Sequence, residues 1–178
     1  TAAPFCAACR SASASIGVTF NVASAGLIAP LAGQAIHVAN NFGNVPSQTI
    51  SLVLGSNAAA YNLASGSASP SPVVLANQRV GGALTQALTV SNTAPAGSFT
   101  EVLNASFAAN TGVATNNGGS ISGGLNAGGV AAGGPANSTA LSVGLDTSAA
   151  GARSGSVTLN YVSNGTGTSG LAPVGVGS

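Results

Sequence analysis

Short stretches in which apolar and polar residues alternate recur along the chain, and this period of two constrains the fold most. In residues 16–22, Ile16, Val18, Phe20 and Val22 face one side, and the residues between them are small or polar. Successive side chains of a strand point to opposite faces of a sheet, so such a stretch predicts a half-buried strand. Further candidate strands are 35–39, 48–54, 73–77, 84–91, 100–108, 140–145 and 155–162.

The segments between these candidate strands are rich in Gly, Asn, Ser and Pro, and helical periodicity with capping residues is hard to find. A spacing of about 8–15 residues between strands is typical of an antiparallel sandwich. With 178 residues the chain is long enough to bury a core. We therefore predict an all-β fold built as an antiparallel β-sandwich.

Charged residues are almost missing from this sequence. They make up 3% of the residues, against about 25% in an ordinary soluble chain. Disorder does not explain this, because disordered chains combine low hydrophobicity with high charge, whereas this chain is 45% hydrophobic. A subunit that must assemble has no need of the charge repulsion that keeps soluble monomers apart. The composition therefore favours a structural protein that binds copies of itself. The charged residues are Arg10, Arg79, Arg153, Glu101 and Asp146.

The composition also bears on partners and location. Three arginines scattered over the whole length cannot form a basic patch, so we expect no nucleic-acid partner. No apolar run approaches the roughly 20 residues of a membrane helix, so we expect no membrane span. The chain begins at Thr1 without Met, which fits removal of a signal peptide and an extracellular or cell-surface location, although a shortened chain would look the same.

Cys6 and Cys9 form a C-x-x-C motif near the N-terminus. Attachment of a c-type haem needs His directly after the second Cys, where this chain has Arg10. A zinc site needs four ligands, and the single histidine, His37, is far along the chain. A thioredoxin-like motif needs a βαβ setting that the pattern does not offer. We predict a small structural disulfide, within the chain or between subunits, in an oxidising compartment. The sequence implies no metal and no cofactor.

Catalytic side chains are too few for general acid–base chemistry. Glu101 and Asp146, the only carboxylates, lie next to predicted strands, which is typical of solvated turn residues. Ion pairs of these two acids with Arg79 and Arg153 are expected to add little stability. His37 has no acid nearby in sequence, so Ser residues lack the partners of a catalytic triad. We predict that the protein is not an enzyme.

Two stretches have the composition of linkers. Residues 64–72, ASGSASPSP, predict an extended connector. Residues 118–135 carry Gly pairs at a regular spacing of five, at 118–119, 123–124, 128–129 and 133–134. This glycine segment is either a long flexible loop or an ordered surface on which the absence of side chains lets backbones approach closely.

The tracts LTVSNT at 88–93, SGSVTLNY at 154–161 and SNGTGTSGL at 163–171 point to a family. Together with their surroundings they resemble a bacterial β-sandwich repeat of surface and secreted proteins, the immunoglobulin-like choice-of-anchor D type. The resemblance covers residues 73–178. It implies an antiparallel immunoglobulin-like β-sandwich there, with residues 1–46 as an N-terminal β-rich extension.

In that family a last strand of the form Gln-Thr-Ile-x-Val-x-Gly usually follows the segment that 171–178 resembles. Here the sequence ends at Ser178, while residues 47–55, SQTISLVLG, resemble that last strand. A sandwich without its last strand exposes an apolar groove and unpaired backbone groups, which is a site for strand addition. The segment 47–63 completes a neighbour's sandwich, closes its own, or belongs to an ordinary second domain. The strand residues concerned are Gln48, Ile50, Leu52 and Leu54.

These observations predict a structural subunit of an extracellular bacterial filament or surface layer that polymerises with itself by strand donation. The alternative is a monomeric adhesin or carbohydrate-binding module of a surface protein. That alternative needs exposed aromatic platforms, and we expect most of the few aromatic residues in the core. The predicted organisation is 1–46 strand-rich segment, 47–63 donor strand, 64–72 connector and 73–178 β-sandwich.

Overall fold

A computed structural model describes residues 15, 17, 19, 21–28, 35–38, 48–51 and 58–178. All regular elements in these residues are β-strands, which confirms the predicted all-β class. No helix in these residues is long and apolar enough to cross a membrane. The strands are β1 Gly26–Leu27, β2 Ala35–Val38, β3 Gln48–Ser51, β4 Ala59–Ala60, β5 Gly66–Ser69, β6 Thr85–Asn92, β7 Val102–Gly112, β8 Ala114–Asn116, β9 Ser120–Ile121, β10 Asn137–Leu145, β11 Gly155–Asn164 and β12 Val174–Gly177.

Two four-stranded antiparallel sheets form a β-sandwich. The first sheet has the strand order β5-β6-β10-β8, and the second has the order β12-β11-β7-β9. The central pair of the second sheet is the longest, running from Val102 opposite Asn164 to Gly112 opposite Gly155. Two short ribbons precede the sandwich, one made of β1 and β4 and the other of β2 and β3.

The core consists of the inward side chains of the alternating strands. The alternation predicted from the sequence holds for β6, β10 and β11, where apolar residues at alternate positions of each strand pack in one buried cluster. Because both sheets contribute to that cluster, burial of apolar surface holds them face to face. The main members are Leu88 and Val90 of β6, Leu141 and Val143 of β10, Leu103 and Ala105 of β7, Leu159 of β11, and Ile121 and Val130.

The predicted connector 64–72 lies inside the sandwich. It contains β5, which pairs with β6 from Gly66 opposite Asn92 to Ser69 opposite Thr89. Ala64 is part of the buried cluster, and a Cβ at Gly66 would overlap the ring of Tyr161. The connector prediction is therefore wrong for 66–69, because small residues there fit closely against the second sheet. The sandwich begins before residue 73.

The glycine segment 118–135 is ordered, as in the second of its two predicted arrangements. It contains β9, and its Ile121 and Val130 are part of the core. In each Gly pair the first residue has a positive φ, as at Gly123 with φ +128°, and the second approaches other atoms closely. A Cβ at Gly124, for example, would overlap the carbonyl oxygen of Thr166. The glycines let this segment fold tightly against the sandwich.

Some predicted strands have other outcomes. Residues 73–77 form no strand and run as irregular chain. In the first alternating stretch, 16–22, the described residues lie in no strand, and Val22 is 44% exposed. Ile16, Val18 and Phe20 lie outside the described residues, as do Leu52 and Leu54 of the predicted donor strand. Cys6 and Cys9 also lie outside them, so the disulfide stays a prediction.

Candidate functional site: an open strand edge beside an apolar groove

Strand β11 has a free edge along more than half of its length. It pairs with β7 from end to end, but it pairs with β12 only at Tyr161, Val162 and Ser163. On that side, no described strand pairs with residues 155–160. Unpaired backbone groups on a sheet edge are a template for the addition of another strand. We call residues 155–160 the open edge.

A groove of about 940 Å³ lies beside the open edge. Val157, Leu159 and Tyr161 of β11 line one wall, and Leu88 and Val143 of the first sheet line the other. Leu159 is buried, and Val157 and Tyr161 pack against the core. An added strand with apolar residues on one face would therefore extend the second sheet and cover the core at the same time.

The irregular segment 70–75 also lines this groove. Its Val74 is 86% exposed, the most exposed large apolar side chain in the described part of the chain. Ser178, the residue after β12, lines the groove as well. The groove thus continues the track on which β12 runs, and its rim carries uncovered apolar surface.

The open edge lacks two of the features that protect a free strand in monomeric proteins. Its sequence, GSVTLN, contains no charge and no proline, and both are common guards of natural edges. Its register with β7 shifts between Thr158 and Leu159. Arg153 is the charged residue that lines the groove. Its guanidinium donates to the carbonyl of Ala149 (Nε to O, 3.1 Å). The other residues that line the groove are uncharged.

Tyr161 lies where the paired part of β11 meets the open edge. Its ring packs over Gly66 of β5, where a larger residue would not fit. Burial raises the pKa of the Tyr161 phenol above its ordinary value of 10.0. The neutral phenol is the form that this partly apolar site favours.

β7 also has a partly unpaired edge, on the opposite side of the same sheet, which we call the second half-edge. β7 pairs with β9 only at Ala105 and Ser106, and a smaller recess of about 500 Å³ borders the rest of the strand. Here side-chain amides bond to one another, with Asn116 Nδ2 donating to Asn110 Oδ1 (2.9 Å) and Asn110 Nδ2 donating to the carbonyl of Ala114 (3.3 Å). These bonds make the second half-edge a less suitable acceptor than the open edge.

The described part of the predicted donor strand, β3, is exposed at all four residues. Gln48 and Ile50 belong to it, and Ile50 is 48% exposed. β3 pairs with β2, while the described partners of β11 are β7 and β12. Within one chain, β3 therefore does not pair with the open edge of β11.

The chain enters the sandwich at the end opposite to the open edge. Asn62 N–H donates to the carbonyl of Phe99 (2.8 Å), Glu101 N–H donates to the carbonyl of Asn62 (3.0 Å), and Ala64 N–H donates to Ser163 Oγ (2.8 Å). β11 has 10 residues, so its two ends are about 30 Å apart at about 3.3 Å per residue. The N-terminal segment and the open edge thus lie toward opposite ends of the sandwich.

Glu101 is buried, and the prediction that it is a solvated turn residue is wrong. It is 2% exposed. Its carboxylate accepts hydrogen bonds from Ser163 Oγ (2.7 Å) and from Ser169 Oγ. The reason is that β7 begins under the 62–64 segment and beside β11, so the residue before the strand is enclosed. Asp146, in contrast, is exposed, and bonds from the Ser148 backbone and hydroxyl lower the pKa of its carboxyl.

His37 is the remaining candidate residue that the structure describes. His37 lies on β2, and its Nδ1 is 3.1 Å from the hydroxyl of Thr49 on β3. Within the described ranges, no three His, Cys, Asp or Glu side chains are grouped so as to hold a metal. The open edge and the groove thus offer unpaired backbone groups and apolar side chains.

Comparison with known proteins finds no family model, no curated protein and no solved structure that matches this chain. The choice-of-anchor D resemblance therefore stays a prediction, and the structure and the sequence carry the functional argument.

Sequence reasoning proposed a donor strand at 47–55 and an apolar groove, but it did not locate the open edge at residues 155–160. Val157 and Leu159 stand in an alternating stretch, yet alternation says only that one face is buried and not whether both edges are paired.

Proposed function

We propose that the protein is a structural subunit of an extracellular bacterial filament or surface layer, in which residues 47–63 of one subunit complete the sandwich of the next. The observation that carries the proposal is the open edge of β11, without charge or proline, beside an apolar groove. The donor strand supplies alternating apolar residues and no charge, which suits an edge and a groove of this chemistry.

The strand order supports this assignment. The orders β5-β6-β10-β8 and β12-β11-β7-β9 resemble, with β9 as an additional strand, the A-B-E-D and G-F-C sheets of an immunoglobulin-type sandwich. In that correspondence β12 takes the place of strand G, and the open edge is the part of strand F that β12 leaves unpaired. A donated strand would continue the track of β12 along this edge.

The arrangement of donor and acceptor supports a linear assembly. The donor segment leaves the sandwich near Ser163, and the open edge extends toward Gly155 at the other end of β11. An interface between two different surfaces of the same subunit is heterologous, and it propagates into a filament unless it closes into a ring. The scarcity of charge leaves little electrostatic repulsion between successive subunits.

The proposal is tested by substitutions that block either the donor strand or the groove, which together form the proposed joint between subunits. We expect Ile50→Lys in the donor and Val157→Lys in the groove each to abolish polymers, because either change places a charge in an apolar interface. Ser138→Lys is the control, because Ser138 is exposed on β10, away from the open edge and the groove. Light scattering and negative-stain electron microscopy measure the assembly.

Mixing the two blocked variants provides the decisive readout. The Ile50→Lys subunit keeps an intact groove, and the Val157→Lys subunit keeps an intact donor strand. Their mixture should therefore form a one-to-one dimer with a single joint and grow no further. Polymers formed by either variant alone, or a mixture that stays monomeric, would contradict strand donation.

A further inference from the structure

The predicted donor strand does not stand alone in the structure. β3 forms a ribbon with β2, in which Ile36 lies opposite Ile50 and His37 lies opposite Thr49. Side chains alternate between the faces of a ribbon, so one face carries Ile36, Val38, Gln48 and Ile50. The other face carries Ala35, His37, Thr49 and Ser51, and it includes the contact between His37 Nδ1 and the Thr49 hydroxyl.

This ribbon has the properties of an incomplete sheet. A two-stranded ribbon is marginally stable on its own in water and needs an apolar face that packs on something else. Ile36, Val38 and Ile50 are outside the buried core cluster of the sandwich. One edge of β3 pairs with β2, and no described strand pairs with its other edge. The ribbon thus has an apolar face and a strand edge that match the two features of the acceptor.

The acceptor has room for a second strand beyond the first. The groove reaches from β11 across to the irregular segment 70–75, where Val74 is 86% exposed. A strand paired with β11 would occupy the track of β12. A further strand about 4.8 Å beyond it would lie toward segment 70–75 and would bring apolar side chains to Val74.

We propose that the donated unit is the two-stranded ribbon of β2 and β3 from a second copy of this chain, with β3 against β11 and β2 outermost. This inference rests on the proposed strand donation and specifies its occupant. Ile50 then faces Val157 and Leu159, Ile36 faces the 70–75 segment, and the His37–Thr49 face points to solvent. The ribbon keeps its own backbone hydrogen bonds while β3 gains those of the open edge, so docking breaks none of them.

A disulfide between β2 and β3 tests whether both strands of the ribbon dock together on the neighbouring subunit. In a Cys6→Ser/Cys9→Ser background, His37→Cys and Thr49→Cys place two thiols on opposite strands of the solvent face. The oxidised, locked protein should polymerise at the same rate and to the same extent as the reduced protein. Polymers from the reduced form and monomers from the locked form would overturn the ribbon proposal while leaving donation of β3 alone in place.

A cross-link across the joint gives an independent readout. In the mixture of blocked variants, we place Ile36→Cys on the Val157→Lys donor and Val74→Cys on the Ile50→Lys acceptor, both without the native cysteines. A disulfide-linked dimer should form, and Ala35→Cys in place of Ile36→Cys should give much less, because Ala35 is on the other face. A dimer that forms without this cross-link would overturn the ribbon proposal, whereas the absence of any dimer would overturn strand donation itself.

Discussion

The carboxylate of Glu101 joins separate segments of the chain at one end of the sandwich. It accepts from Ser163 on β11 and from Ser169 in the following loop, while Ser163 Oγ also accepts from the backbone of Ala64. The entry of the chain, the end of β11 and the loop after it therefore share one buried hydrogen-bond network. Such networks stabilise a fold only when their members are satisfied.

Replacing Glu101 should weaken the fold. Glu101→Ala leaves the hydroxyls of Ser163 and Ser169 without their acceptor in a buried site, which we expect to cost about 3 kcal/mol of the free energy of unfolding. Urea denaturation followed by circular dichroism measures this loss. Asp146→Ala is the control and should cost much less, because Asp146 is exposed. Equal small losses in both variants would contradict a structural role for Glu101.

Tyr161 should make the stability depend on pH in alkaline solution. Burial raises its pKa above 10.0 in the folded chain, so the folded state holds the phenol proton more tightly than the unfolded state. Its contribution to stability is therefore complete below the unfolded pKa and is lost as the pH rises from there through the folded pKa. Tyr161→Phe removes this contribution to the pH dependence. Urea denaturation of both proteins across this range measures it, and an unchanged slope in Tyr161→Phe would refute it.

At the scale of elements, the glycine segment 118–135 is a tightly folded part of the sandwich. The first Gly of each pair turns the chain, and the second lets it lie against a neighbouring backbone, as Gly124 does against Thr166. A side chain at such a position forces the backbone to move. Ile121 and Val130, which lie between the pairs, are thereby held in the core.

Gly124→Ala should therefore destabilise the protein by about 2 kcal/mol, because the added methyl group overlaps a backbone oxygen that cannot rotate away. Gly175→Ala is the matched control, since a Cβ there would meet nothing within 4 Å. Thermal unfolding followed by circular dichroism compares the two variants. A Gly124→Ala protein as stable as Gly175→Ala would show that the segment adapts to a side chain.

The edges of the second sheet differ in a way that bears on assembly. Its two central strands, β7 and β11, have 11 and 10 residues, but the flanking strands β9 and β12 have 2 and 4 residues. One end of the sheet is therefore only two strands wide. The side-chain amides of Asn110 and Asn116 bond to each other at the β7 flank, so the β11 flank is the better acceptor for the proposed strand donation.

At the scale of the whole molecule, the two ends of the sandwich along the β11 axis are different. The N-terminal segment enters near Ser163, and the open edge extends toward Gly155. A head-to-tail assembly requires such a difference, since each subunit must offer two different surfaces. The near absence of charge makes the hydrophobic effect and backbone hydrogen bonds the main forces between proposed neighbours.

The amino-acid sequence by itself determined the all-β class and most of the core, because alternation with a period of two is a local property that burial of one face imposes. Leu88, Val90, Leu141, Val143 and Leu159 were all predictable in this way. Their alternation could be read from a few neighbouring residues without knowledge of partners.

Only the tertiary structure decided which edge stays open, that 66–69 is a strand, and that Glu101 is buried. Each depends on segments far apart in the chain: Ser69 pairs with Thr89, and Glu101 bonds to Ser163. Composition does not predict such pairings, because small polar residues are equally suited to a linker and to a tightly packed edge strand. The open edge likewise follows from the lengths of β11 and β12 once they are aligned, and no local pattern records that alignment.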